Sequence, residues 1–295
     1  MAHPFTSQHA HEPTQRGGYL RWQLLRSLLQ NQMPAGLTLA WQPLLCRHAA
    51  SGGLHAEALL RFWEPGQGSI GQFSQADAVL QICQQLGKMA FLDNWVMTRC
   101  VEHLEQHAEA LLGLKTLCVN ISPQSLNQAA FLDDSLALIR AHPRAASKLC
   151  LEITELGAVS NLNAVQRFVS RCRQLGVRIA LDDFGSGYSN LRYVIDLQLD
   201  MIKIDGAIVR TMCHNRASRA VVSAISQLSA NLGYLCVAEW VENLETLRAL
   251  NALPVDCIQG YLVSEPVDPA RFLHRQTMHD LVFSERPLPV EWMQS

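Results

Sequence analysis

The chain is expected to fold as an α/β protein, a TIM-like (β/α)8 barrel with an antiparallel first strand. Three observations predict it. Eight short β-like runs alternate with helix-like segments over roughly 250 residues, the size of such a barrel. Several runs, such as Leu117-Cys118-Val119 and Leu149-Cys150-Leu151, are apolar without alternation, as expected of strands buried on both faces. The first two runs are joined by a loop around Gly52-Gly53 that is too short for a crossover helix, so they should pair antiparallel. An open doubly wound sheet would need a glycine-rich phosphate loop after its first strand, and Leu45 is followed instead by Cys46-Arg47-His48.

The strand candidates are residues 37–45, 54–61, 115–121, 148–154, 177–182, 201–204 and 235–238, with a short one near Cys257. Helical spacing of apolar residues marks 74–86, 92–110, 128–141, 161–175, 216–232 and 243–250. Gly87, Gly176 and Gly233 each follow a leucine, where a helix ends in a left-handed residue. Ser122-Pro123 reads as a helix start, with a capping hydroxyl and a proline in the first turn. One domain is expected over residues 19–279, between a flexible tail (1–18) and a C-terminal tail (280–295).

Of the 295 residues, 48% are apolar and 17% charged, which places the chain with globular rather than disordered proteins. A net charge of −2 argues against a surface for a nucleic-acid polymer, which needs many Lys and Arg to neutralise phosphates. No apolar run approaches the roughly 18 residues of a membrane span, and Met1–Gly18 lacks the apolar core of a secretory signal. The nine cysteines are scattered, odd in number and without a C-x-x-C pair, so they read as free thiols filling the core of a cytoplasmic protein.

Functional side chains of a (β/α)8 barrel converge at the C-terminal ends of its strands. Here those ends carry Glu57 and Arg61, Asn120, Glu152 and Glu155, Asp182-Asp183, Lys203 and Asp205, Glu239 and Glu242, and Gln259. Each alone could be a salt-bridged acid or a turn residue. Recurrence at successive strand ends is what independent surface acids would rarely produce. So many acids at one spot are tolerable mainly when divalent cations neutralise them. Oxygen and amide donors without His or Cys suit Mg²⁺ or Mn²⁺, and the number of acids suits two ions, the arrangement used in phosphodiester cleavage. Lys203, one of only four lysines, sits between apolar neighbours, where it could meet an activated water or a phosphoryl oxygen.

Glu57-Ala58-Leu59-Leu60-Arg61 resembles the signature of the EAL domain family of cyclic di-GMP phosphodiesterases. The likeness runs from the helix at 20–30 to Phe272 through ordered blocks: Trp41-Gln42-Pro43, Leu92-Asp93-Asn94-Trp95, Val119-Asn120-Ile121-Ser122, Leu151-Glu152-Ile153-Thr154-Glu155, LDDFGSGYS at 181–189, Ile202-Lys203-Ile204-Asp205, Ala238-Glu239 and Gln259-Gly260-Tyr261. The resemblance implies hydrolysis of cyclic di-GMP to linear pGpG by a metal-activated water, in a cytoplasmic homodimer. It implies Glu57, Asn120, Glu152 and Asp182 as ligands of one metal, with Asp182 and Asp183 around a second and Glu239 ligating or orienting water. Lys203, Glu239 and Glu57 are the implied catalytic groups. Gln42, Leu59, Arg61, Asp93 and Gln259 match positions around the dinucleotide, and Glu155 and Glu242 match supporting glutamates that brace loops. The rival reading is a non-catalytic cyclic di-GMP receptor that signals to a protein partner. A weaker third is a barrel hydrolase of another phosphate ester.

Two positions depart from the family pattern. Trp240 stands where the family usually has glycine, so its indole either packs under the loop or leans over the mouth. Ile208 replaces a phenylalanine, expected as a core variation.

Overall fold

The computed structural model describes residues 12–47, 53–62, 74–154, 159–186, 191–276 and 281. Its contacts divide the chain into two compact units, Met1–Thr38 with Leu60–Leu92, and Leu39–Leu59 with Asp93–Ser295. The domain expected over 19–279 spans both.

The first unit holds helix α1 (Glu12–Leu29), the short strand β3 (Ser74–Gln75) and α2 (Asp77–Gln85). Leu24 and Leu28 of α1, one turn apart, join Val79, Ile82 and Cys83 of α2 in one apolar cluster, as period-3.6 spacing requires. Helix α1 takes in Glu12–Gly18, residues expected to precede the fold. Ser74 and Gln75 were expected to be helical. They instead pair antiparallel with Phe62 and Arg61, so α2 begins only at Asp77.

In the second unit the strands are β1 (Leu37–Cys46, whose first two residues belong to the first unit), β2 (Leu54–Phe62, whose last three residues belong to the first unit), β4 (Leu114–Ile121), β5 (Leu149–Ile153), β6 (Arg178–Phe184), β7 (Met201–Ile204), β8 (Leu235–Ala238) and β9 (Cys257–Ile258). Their order is β1-β9-β8-β7-β6-β5-β4-β2, and pairing of β1 with β2 closes an eight-stranded barrel. β1 is antiparallel to β9, and the other neighbours from β9 round to β2 are parallel, so the first strand runs against the rest as expected.

Between the strands lie α3 (Met89–Gln106), α4 (Pro123–Leu126), α5 (Ala129–Ala141), α6 (Pro143–Ala146), α7 (Leu162–Gln174), α8 (Leu191–Asp196), α9 (Gly206–Thr211), α10 (Arg216–Leu232) and α11 (Leu244–Asn251). Gly87 and Gly233 take the left-handed φ of 65° and 73° that lets α2 and α10 stop, where a β-carbon would be strained. Ser122 caps α4 by accepting from Ser125 N, with Pro123 at its first position.

An apolar layer fills the barrel: Leu44, Cys118, Cys150, Ala180, Met201, Val237 and Cys257. On each of the parallel strands β4 to β9 the member of this layer lies two residues before a polar side chain, and on β1 it lies two after, because alternate residues share a face. The polar residues above it are Gln42, Asn120, Glu152, Asp182, Lys203, Glu239 and Gln259.

The cysteines need a correction. Seven form no disulfide, and Cys118, Cys150 and Cys236 are fully buried as expected. Cys46 and Cys257 form a disulfide. They face each other across the antiparallel β1–β9 ladder, and their separation of 211 positions hid the pairing from any spacing pattern.

Candidate active site

Residue registers explain why acids from distant segments meet. Asn120 lies directly across from Glu152. Glu57 faces Cys118, two residues before Asn120, while Glu152 faces Ala180, two before Asp182. Lys203 likewise faces Val237, two before Glu239. The strand stagger of a closed barrel therefore winds these side chains into one inward ring.

Lys203 Nζ is the hub of that ring. It lies 2.7 Å from Glu239 Oε1, 3.0 Å from Glu57 Oε2, 3.0 Å from Glu152 Oε1 and 3.1 Å from Asp182 Oδ1. Asn120 Nδ2 donates to Glu57 Oε1 at 2.7 Å, and Gln259 Nε2 donates to Glu57 Oε2 at 2.8 Å. Gln259 Nε2 also reaches Gln42 Oε1 at 3.3 Å, and Gln42 Nε2 donates to the Ser264 carbonyl at 3.0 Å. Lys203 and Glu152 are wholly buried, and Glu57, Asp182 and Glu239 nearly so.

Asp182 and Asp183 share this site through a β-bulge. Leu181 pairs with Ile202 and Phe184 with Ile204, so three steps on β6 match two on β7. The extra residue falls at Asp182-Asp183, and Asp183 takes a left-handed φ of 53°. Strict alternation would send the two carboxylates to opposite faces. Instead, ligand atoms of Asp182, Asp183 and Glu239 lie within 4.8 Å of one another.

The electrostatics separate these acids. Burial works to raise the Glu57 carboxyl, but the Lys203 charge and the Gln259, Lys203 and Asn120 donors outweigh it and hold it below the usual range. Burial pushes Glu152 and Glu239 well above it, and raises Asp182, with Lys203 offsetting only part in each case. Asp183 is pushed up to about 6 by burial and by the charges of Asp182 and Asp205. Burial would lower Lys203, yet Asp182, Glu152, Glu239 and Glu57 together hold it well above its ordinary value, so it stays protonated.

Four acids around one lysine leave an excess of negative charge. Glu152 Oε2 is buried and has no hydrogen-bond partner among the described residues. An all-oxygen donor set with a buried, unsatisfied carboxylate oxygen fits a hard divalent cation. The acidic cluster could hold a metal.

The remaining expected residues fall in different places. Leu59 is half-buried on β2. Arg61 belongs to the first unit, where its Nη1 donates to the Leu60 carbonyl at 2.8 Å. Asp93 is buried, and its Oδ2 accepts from Ser122 N (2.9 Å), Ser122 Oγ (2.7 Å) and Ser125 Oγ (2.6 Å), tying α3 to the start of α4. Burial raises its pKa despite these donors. Glu242 is exposed beyond β8, and Glu155 lies outside the described residues, as does Tyr188 of the loop it was expected to brace. Ile208 is half-buried on α9, its Cδ1 2.8 Å from where a β-carbon on Gly185 would sit. The capping serines that hold Asp93 were not foreseen as neighbours of a site residue, although Ser122-Pro123 signalled the cap itself.

The sequence pattern of the EAL domain matches residues 23–266. The chain belongs to the EAL domain family. It is 30% identical over 215 residues to the cyclic di-GMP phosphodiesterase PdeF of Escherichia coli K12, a match covering 73% of this chain and 28% of PdeF. It is 33% identical over 213 residues to the cyclic di-GMP phosphodiesterase PA2567 of Pseudomonas aeruginosa, covering 72% of this chain and 35% of that protein. The matched region is thus about a third of those relatives. The solved phosphodiesterase PaMucR, in complex with cyclic di-GMP, superposes with a TM-score of 0.73 at 28% identity, covering 85% of this chain and all of that one. Among the described residues of this EAL domain protein, no helix is long and apolar enough to cross a membrane.

Proposed function

We propose that this chain is a metal-dependent phosphodiesterase that hydrolyses cyclic di-GMP to linear pGpG. The observation that carries the reading is the ring of Glu57, Glu152, Asp182 and Glu239 around Lys203, all within 3.1 Å of one ammonium. Glu57, Asn120, Glu152 and Asp182 would hold one Mg²⁺ or Mn²⁺, and Asp182, Asp183 and Glu239 a second. Such cations supply neutralising charge for an anionic phosphodiester and lower the pKa of a coordinated water. The protonated Lys203 supplies a hydrogen-bond donor for an attacking oxygen or a phosphoryl oxygen, and Glu239, its nearest acid, orients that oxygen.

Gln42 and Gln259, already joined to each other and through Gln259 to Glu57, stand as polar contacts for the dinucleotide, with Leu59, Arg61 and Asp93 as its further neighbours. Asp93 would act from a fixed position, because three donors hold it. Glu155 and Glu242 are proposed as loop braces. Residues 19–279 form the catalytic domain in this reading, acting as a homodimer on a soluble nucleotide rather than on a nucleic-acid polymer or a membrane. The cytoplasmic setting rests on the seven cysteines that form no disulfide, with the Cys46–Cys257 bond as the exception.

Incubating purified protein with cyclic di-GMP and Mn²⁺ or Mg²⁺, then separating the nucleotides by chromatography, tests the proposal. Appearance of pGpG, abolished by EDTA, is expected. Stoichiometric retention of unchanged cyclic di-GMP would make the chain a receptor, and neither binding nor cleavage would point to another phosphate ester.

A further inference from the structure

Trp240 is the residue directly after Glu239, at the C-terminal end of β8, and its backbone is unusual. It takes a φ of 51°, a left-handed conformation that is a genuine outlier for a bulky side chain. The strain is held from both sides: Glu239 N donates to the Ile204 carbonyl and Val241 N to the Gln259 carbonyl. Such conformations persist only where the surroundings over-determine them, and they cluster at functional sites.

The side chain is equally constrained. A β-carbon on Gly206 would lie 2.2 Å from Trp240 Cγ, so the indole rests directly on the backbone at the start of α9. The Arg210 guanidinium stands 5.4 Å from the ring centroid. Gly206 and Arg210 are one helical turn apart, so both touch the ring from the α9 side. Trp240 is nonetheless 50% exposed. The indole is therefore clamped on one side and open on the other. It stands at the barrel end that carries Asp183 and Glu239, since Gly206 follows β7 and Trp240 follows β8 by two residues each.

We propose that the open face of the Trp240 indole is a stacking platform for a purine base of the substrate, with Gly206 and Arg210 setting its position. This rests on the cyclic-dinucleotide reading above. Every base presents a π-face, and a rigid, half-exposed aromatic beside the acids that receive the phosphodiester would capture one base while the phosphate meets the metals. The glycine usual in the family at this position has no such face.

The test is steady-state kinetics with cyclic di-GMP and Mn²⁺, alongside thermal melting and ligand-induced quenching of tryptophan fluorescence. Trp240→Gly suits the left-handed backbone, so its melting temperature is expected to hold or rise, and a kinetic defect would not reflect unfolding. Its KM is expected to rise about tenfold, with a smaller change in kcat, as loss of one stacked base implies. Trp240→Phe keeps a π-face and is expected to stay within about threefold of the unsubstituted KM, while losing part of the quenching. Gly206→Ala pushes the indole off its seat and is expected to raise KM too, but to add nothing in a Trp240→Gly background. An active unsubstituted chain whose Trp240→Gly variant has the same or a lower KM overturns the platform alone. An unsubstituted chain that neither binds nor cleaves cyclic di-GMP overturns the dinucleotide reading and the platform with it.

Discussion

Lys203 Nζ stands 2.7 Å from Glu239 Oε1, closer than to any of the other three carboxylates it bridges. The shortest ion pair of the ring is thus made with the acid that directly follows β8, two residues beyond the position that Lys203 faces in the ladder. Lys203 is the counter-ion that these four acids share.

Replacing Lys203 with Met would leave four buried carboxylates without their counter-ion. Removing one partner of a buried ion pair costs about 3–5 kcal/mol. Urea denaturation in EDTA is expected to show a loss of that order, with Mg²⁺ restoring part of it. An unchanged midpoint in EDTA would mean that the acids are already neutral without the lysine.

The acids are not equivalent in the metal-free protein. Glu57 accepts from Asn120, Lys203 and Gln259, so Glu57→Ala removes three hydrogen bonds and is expected to lower the melting temperature. Glu152 has an unsatisfied oxygen and a raised pKa, so Glu152→Gln is expected to raise it, by relieving repulsion and desolvation. Both are expected to abolish turnover. Melting curves in EDTA that shift in the same direction for the two variants would overturn the distinction.

Stability of the metal-free protein should fall as pH rises. Asp183 titrates at about 6 when folded and at the ordinary carboxylate value when unfolded, so the native state binds the extra proton. Its stabilising contribution is complete below the ordinary carboxylate pKa and is lost as pH climbs through about 6. Glu152, Asp182 and Glu239, also raised, act in the same direction, and Glu57, lowered, opposes them. Melting in EDTA from pH 4 to pH 8 is expected to decline, and Mg²⁺ to flatten the decline at its upper end. A rising profile would show that Glu57 dominates.

The Cys46–Cys257 disulfide joins the first barrel strand to the last across 211 positions. Disulfides typically contribute about 2–4 kcal/mol, so Cys46→Ser or dithiothreitol should lower stability by that order. Because β9 pairs with β1 at only two positions, KM is expected to rise as well, through looser placement of Gln42 and Gln259. Equal denaturation midpoints with and without reductant would show that the bond carries no stability.

The order of strands and helices and the identity of the acids are written along the chain. Strand runs such as Met201–Ile204 and Leu235–Ala238, and the stop at Gly233, follow from local periodicity and backbone sterics. The family blocks name Glu57, Asn120, Glu152, Asp182 and Lys203; Asn120, Glu152 and Lys203 each lie one residue before a strand end, while Glu57 and Asp182 lie inside β2 and β6. Three features were decided by the closed barrel. Its stagger gathers the acids on Lys203, a bulge at Asp183 turns adjacent carboxylates to one spot, and the antiparallel seam brings Cys46 to Cys257. The seat of Trp240 on Gly206, 34 positions away, belongs with them. Local pattern cannot encode these because each depends on how far one strand slides past its neighbour, and that slide is settled only when the ring of strands closes.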